Sequence, residues 1–502
     1  MDLDSIHNPQ SENIDTLSKA YFKASPNETS DSQLASDPTS INNQFSRDII
    51  PFNNDIGKNA DIGKNDIDEK HSIDTDTPNM AFEDSSFSIP ATLVARKEIL
   101  NHLPALQSRE PLEVHEVLKI RNALKLATKF FSDSRLPWTA ECSVPSCSHV
   151  AEVGIMLALT GADHEVIEAG LLGHESIESI KEKGILEKKF SPQVTPLISE
   201  ITALLMVSPE ELGEKLHKIY EEDKLLAQRL ATLHCAIMSA RAEKNLSHPQ
   251  AEALAPVYYS FGVSLDLINQ YNVFTGNARD VYPSNQTESA YSMHEIIDIR
   301  KSLRLASIVY KDSLRKWGPE EKIPLISHAA EVGLLLALAG KSRDVVVAGL
   351  LHDFLEGYVN DEISDLGREV DAYGPEVRSL VQEITEPQRR EIQGKSETRE
   401  AWQKRKNAII ERLESGSTDF ADLCAATKIS TIAAGNKMLF EDGKFEKWSN
   451  GPIEDNLSVF IKINEACASK GISPVLAGQL ELETDRLILL SIKTSNKLAE
   501  VA

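Results

Sequence analysis

The sequence predicts an all-α protein of two tandem helical bundles preceded by a disordered N-terminal segment. Three observations lead there. Long segments recur at one fixed distance along the chain, the apolar residues inside them follow helical rather than strand spacing, and the first 88 residues are too polar to build a core. The boundaries expected are 1–88 for the leader, 89–275 for the first bundle and 276–502 for the second.

The leader is rich in Asn, Asp, Ser and Thr and contains a tandem hexamer, DIGKNA (55–60) followed by DIGKND (61–66). Such a composition buries too little apolar surface to offset the entropy of ordering. Its opening decapeptide is polar and acidic, unlike a signal peptide. A partner-binding tail is the less expected alternative.

Beyond it, HEVLKIRNALKLA (115–127) matches HEIIDIRKSLRLA (294–306), SHVAEVGIMLALTG (148–161) matches SHAAEVGLLLALAG (327–340), and Trp138 matches Trp317. The same distance separates His115 from His294, Trp138 from Trp317 and Ser148 from Ser327. The register therefore holds without a gap, and a duplicated domain is expected. AAEVGLLLALAG has the pattern of a buried helix stopping at Gly340. Ser342 is a good N-cap for a following helix over 344–357, stopping at Gly357. No stretch alternates as a strand would. Loop residues near 270–290 suggest the linker.

The net charge of -24 argues against a nucleic-acid or anionic-membrane binder, because phosphates would be repelled. The apolar runs are too short to span a bilayer. Five scattered cysteines fit a reducing cytoplasm rather than a disulfide framework.

In the second copy, His328 opens one helix, and His352 and Asp353 are adjacent in the next. A short loop between antiparallel helices would bring them together. Two imidazoles and a carboxylate suit Mn, Fe or Zn, which would activate a water toward a phosphoester. Glu356, three residues after Asp353, would orient that water or take a proton. The bland alternative is that His328 caps or packs and His352–Asp353 is an ordinary helix-surface pair.

Four segments in order resemble the HD-type hydrolase domain of the RelA/SpoT-like (p)ppGpp hydrolases: KDSLRKWGPEEKIPLISHAAEVG (311–333), AGLLHDFLEG (348–357), YGPEVRSLVQEIT (373–385) and RKNAIIERLES (405–415). The resemblance implies HD-type helical bundles and one divalent metal, usually manganese. It implies removal of the 3′-pyrophosphate from guanosine tetra- and pentaphosphate. By position it makes His328, His352 and Asp353 ligands and Glu356 the first of a catalytic acidic pair, with Arg315 and Lys316 near the nucleotide. An exposed Arg-Lys pair is otherwise ordinary solvated surface.

The pattern also breaks. Gly357 stands where the family has its second catalytic acid, Thr427 where it has a fourth, aspartate ligand, and Thr431 where it has an asparagine beside the ribose. Asp422 would replace the lost ligand only if its helix shifted. In the first copy His149 is in place, but the ungapped register puts Gly173 and His174 opposite His352 and Asp353; a one-residue insertion would instead align His174, Glu175 and Glu178. Two functions follow. One is a metal-dependent hydrolase of a phosphorylated guanosine nucleotide in the second copy. The other is an inactive nucleotide-sensing or protein-binding pseudoenzyme. The partners expected are that nucleotide and, through the leader, a second copy or another protein.

Overall fold

The computed structural model describes residues 112–137, 143–173, 190–205, 207–245, 248–274, 291–315, 323–355, 363–385, 398–442 and 453–501. The leader lies outside them, as do residues 275–290 of the expected linker; residues 270–274 complete a helix instead.

The fold is all-α, with 17 helices among the described residues. The N-terminal half holds α1 (Val114–Phe130), α2 (Cys147–Leu159), α3 (His164–Leu172), α4 (Val194–Leu204), α5 (Pro209–Glu222), α6 (Lys224–Asn245), α7 (His248–Ser260) and α8 (Leu265–Phe274). The C-terminal half holds α9 (Met293–Val309), α10 (Ile326–Leu338), α11 (Arg343–Leu351), α12 (Ile363–Asp371), α13 (Pro375–Ile384) and α14 (Arg399–Ser415). It closes with α15 (Thr418–Asp442), α16 (Ile453–Ser469) and α17 (Pro474–Val501). Ile89–Ala502 forms one compact unit, and a single apolar core runs through both halves.

Helix ends follow local chemistry. Ser292 and Glu295 form a reciprocal capping box at the start of α9, and Asp163 accepts the Val166 N–H at the start of α3. Gly340 ends α10 at φ +65°, and Lys341 N–H bonds back to Leu336 O at 3.1 Å. That left-handed cap favours glycine. Helices α1, α2 and α3 have the same lengths as α9, α10 and α11, and every pair is set apart by the offset that separates His115 from His294.

One expectation needs correction, and one short feature joins the helices. A two-stranded antiparallel ladder joins β1 (Arg135–Pro137) and β2 (Ser143–Pro145), with Leu136 opposite Val144. Strands this short cannot show alternation in a sequence. The helix expected over 344–357 runs only from Arg343 to Leu351, and residues 352–355 form a turn.

Helices α2 and α10 are buried along their whole length and pack on each other between the halves. A helix apolar on nearly every face has no other stable place. Each nevertheless carries one buried carboxylate, Glu152 on α2 and Glu331 on α10. No described helix is long and apolar enough to cross a membrane.

Candidate metal centre

His328 sits in the first turn of α10, and its backbone N–H bonds Leu325 O at 2.9 Å. His352 is the C-cap of α11, and Asp353 follows in the turn. The antiparallel packing of α10 and α11 brings the three together, each offering one ligand atom within 4.8 Å of the others. His328 Nε2 lies 3.1 Å from His352 Nε2, which lies 3.2 Å from Asp353 Oδ1. Bonds of about 2.1 Å meeting near a right angle place their donors about 3.0 Å apart, so the set has the span of a divalent metal shell.

The outer ring nitrogens are engaged. His352 Nδ1 lies 2.8 Å from Gly349 O, an acceptor only, so Nδ1 carries the proton. His328 Nδ1 lies 2.9 Å from Ser430 Oγ, whose hydroxyl donates to Glu331 Oε2 at 2.6 Å. One hydroxyl proton cannot serve both, so the 2.9 Å contact is met by His328 Nδ1 donating to Ser430, and the longer 3.4 Å approach of Arg315 Nη2 to Nδ1 is then a close approach of two donors. Both Nε2 lone pairs then face each other at 3.1 Å, an arrangement that a shared cation relieves. The residues present therefore fit a metal. Burial first, then Arg315 and His352, push the His328 imidazole down to about 3, which keeps it in the neutral, ligating form.

Arg315 Nη2 lies 3.4 Å from His328 Nδ1 and 3.5 Å from Ser430 Oγ, so a guanidinium flanks the centre. Its backbone N–H is held by Ile323 O at 2.8 Å beside the Leu314–Pro324 bridge. That bridge is the counterpart, at the common offset, of the Arg135–Pro145 pair. Glu331 is neutralised from the other side. Arg121 Nε lies 3.0 Å and Lys125 Nζ 3.5 Å from its Oε1. Burial opposes ionisation, but Lys125, Arg121, Arg315 and the Ser430 hydroxyl hold the Glu331 carboxyl well below the usual range.

Thr427 is buried one turn before Ser430, but its hydroxyl donates to Cys424 O at 2.7 Å, and that of Thr431 donates to Thr427 O. Asp422 is engaged elsewhere, 2.6 Å from Lys341 Nζ and accepting from the Ser473 N–H. His149 is buried in the first turn of α2. Lys316, Glu356, Gly357, His174, Glu175 and Glu178 lie outside the described residues.

Glu331 and Ser430 went unnoticed in the sequence. A signal for Glu331 existed: AEVG recurs in both matched helices, and a carboxylate in an otherwise apolar helix calls for a buried cation. The arginines recur too, as Arg121 and Arg300. Ser430 carried no signal, being one small residue in a helix with several.

The model of the HD domain family matches residues 304–415, which contain Arg315, His328, His352 and Asp353. The chain thus carries an HD domain, from a superfamily of metal-dependent phosphohydrolase-like proteins that typically bind divalent metals. No curated protein matches the chain.

Proposed function

We propose that the HD domain, completed by α15, is a metal-dependent phosphohydrolase of guanosine (p)ppGpp-type nucleotides, with manganese as its metal. The observation that carries the reading is the convergence of His328, His352 and Asp353, with Nδ1 of each imidazole engaged by protein and Nε2 facing the shared site. His328 and His352 would hold the ion through Nε2 and Asp353 through its carboxylate. When bound, such an ion lowers the pKa of a water and polarises a phosphoryl oxygen. Arg315 would orient the substrate phosphate, with Lys316 beside it by resemblance. Glu356, by the same resemblance, would accept the proton of the attacking water.

The support for a guanosine alarmone is the resemblance of the four segments and their order. One observation favours a second reading, a nucleotide-sensing pseudoenzyme: Thr427 spends its hydroxyl on a backbone carbonyl and brings no charge where the family has an aspartate.

We also infer a tandem duplication, 89–275 and 276–502, on the offset shared by three helices and the ladder pair. The four described cysteines are free and buried, which supports a cytoplasmic location.

The test is elemental analysis of the full chain, paired with release of pyrophosphate from guanosine tetraphosphate. About one Mn, Fe or Zn per chain is expected in the wild type, with turnover, and neither in the His352→Ala, Asp353→Ala double variant. Metal and nucleotide binding without turnover would select the sensing reading. No metal after incubation with excess manganese would overturn the metallohydrolase.

A further inference from the structure

The Glu331 carboxylate joins the candidate metal centre to the opposite half of the molecule. On one side, His328 Nδ1 donates to Ser430 Oγ at 2.9 Å, and Ser430 donates to Glu331 Oε2 at 2.6 Å. On the other, Glu331 Oε1 is met by Arg121 from α1. Arg121 is fully buried and is itself fixed by Gln479 at 2.7 Å and Glu483 at 2.9 Å on α17. An unbroken chain of short polar contacts thus runs from the first copy to a ligand of the second.

A mirror-image network exists at the offset that relates the two copies. Arg300, the counterpart of Arg121, donates to Glu152, the counterpart of Glu331, at 2.8 Å. Arg304, the counterpart of Lys125, donates to the same oxygen at 2.8 Å. There a serine, Ser239, meets the arginine rather than the carboxylate, accepting from Arg300 Nη1 at 3.1 Å. Both networks pair a buried carboxylate with two cations, but Arg121 also meets Glu483, and Ser430 is in contact with a candidate ligand.

We propose that Glu331 and Ser430, braced by Arg121 from the first copy, are positioning residues that fix the tautomer and ring orientation of His328, so the first copy supplies a buried cation to the metal centre of the second. The inference rests on the metal-binding reading of the site and not on catalysis. Outer-shell partners of a ligating histidine set its basicity and direction, and their loss typically weakens metal binding about 10–100-fold. Arg121 acts two contacts from the ligand, so its effect is smaller. Its directed Nε–H bond to the Glu331 carboxylate is one that a lysine ammonium would not reproduce.

The experiment titrates the full chain with Co²⁺, read by its visible absorption, which reports affinity and ligand geometry together. Ser430→Ala is expected to weaken Co²⁺ binding about 10–100-fold and to alter the band, while Ser239→Ala leaves both as in the wild type. Arg121→Lys is expected to weaken binding several-fold, and its mirror Arg300→Lys not at all. Thermal unfolding of each pair shows whether the stability losses are matched. Equal Co²⁺ affinity in Ser430→Ala and wild type would overturn the proposal and leave the metal reading standing. Equal weakening by Arg121→Lys and Arg300→Lys would reduce the network to a scaffold and overturn the cross-copy role. A wild type that binds no Co²⁺ would overturn this inference together with the metallohydrolase; binding without turnover would leave it intact.

Discussion

At the residue scale, Glu168 lies inside α3, fully buried, with neither carboxyl oxygen hydrogen-bonded; His164 Nε2 stands 4.0 Å from Oε1. At the shared offset in the C-terminal half stands Val347, equally buried in α11. Burial raises the Glu168 carboxyl to about 8, against the pull of Lys119 and with the help of Glu165, Glu116 and Asp163. An unfolded chain releases this proton near pH 4.5, while the folded chain keeps it to about 8. Within that window the folded state binds more protons, so this group's contribution falls as pH rises from 4.5 to about 8. Glu168→Val is therefore expected to stabilise the protein, with a gain larger at pH 8 than at pH 5 by about 1–3 kcal/mol. Urea unfolding at the two pH values measures it, and an identical gain at both would mean that the carboxyl does not titrate between them.

At the scale of elements, the centre depends on how closely α10 meets α11. A Cβ on Gly333 would fall 2.5 Å from Leu350 Cδ2 and 2.7 Å from its Cγ, and one on Gly349 would overlap Leu336 Cδ1. Gly154 and Gly170 repeat this interlock with Leu171 and Leu157 between α2 and α3. Alanine in a helix gains up to about 1 kcal/mol over glycine, but overpacking a core costs about 1–3 kcal/mol. Cγ of Leu350 cannot swing clear as a terminal methyl could, so the clash wins. Gly333→Ala is expected to lower stability by about 1–2 kcal/mol and, by spreading α10 from α11, to weaken Mn²⁺ binding. Gly154→Ala should cost similar stability with Mn²⁺ binding unchanged. Melting with and without Mn²⁺ distinguishes them. The same elements show what a sequence discloses. The all-α class and the end of α10 were legible because apolar period and Gly340 are local signals. The end of α11 was not, since residues 352–355 contain neither Gly nor Pro. His328, His352 and Asp353 were legible as a set because ligand chemistry restricts the residue types. Ser430 was not, because a serine reveals its partner only when α15 is laid against α10, 99 residues from Glu331 and 102 from His328.

At the scale of the whole molecule, the halves exchange charges. Arg121 and Lys125 of the first meet Glu331 of the second, while Arg300 and Arg304 of the second meet Glu152 of the first. This i-to-j, j-to-i relation is the signature of an isologous, two-fold contact, here within one chain. Each carboxylate sits on a helix too apolar to neutralise it, so its counter-charge comes from across the contact. Such pairs are weak grounds for absolute stability, because desolvation offsets their attraction; losing one partner alone is what costs about 3–5 kcal/mol. Glu152→Gln should thus destabilise the chain strongly, removing the carboxylate that Arg300 and Arg304 both meet. Arg300→Met should do so less, since Arg304 still meets Glu152. Combined, the two substitutions should cost less than their sum by more than about 1 kcal/mol, the coupling of groups in one network. Because these groups are out of solvent, raising NaCl from 0.1 to about 1 M should leave the coupling nearly unchanged, unlike that of a surface pair. Strict additivity in the double-mutant cycle would mean that the halves are held by apolar packing of α2 on α10 alone, with the crossed charges setting only which faces meet.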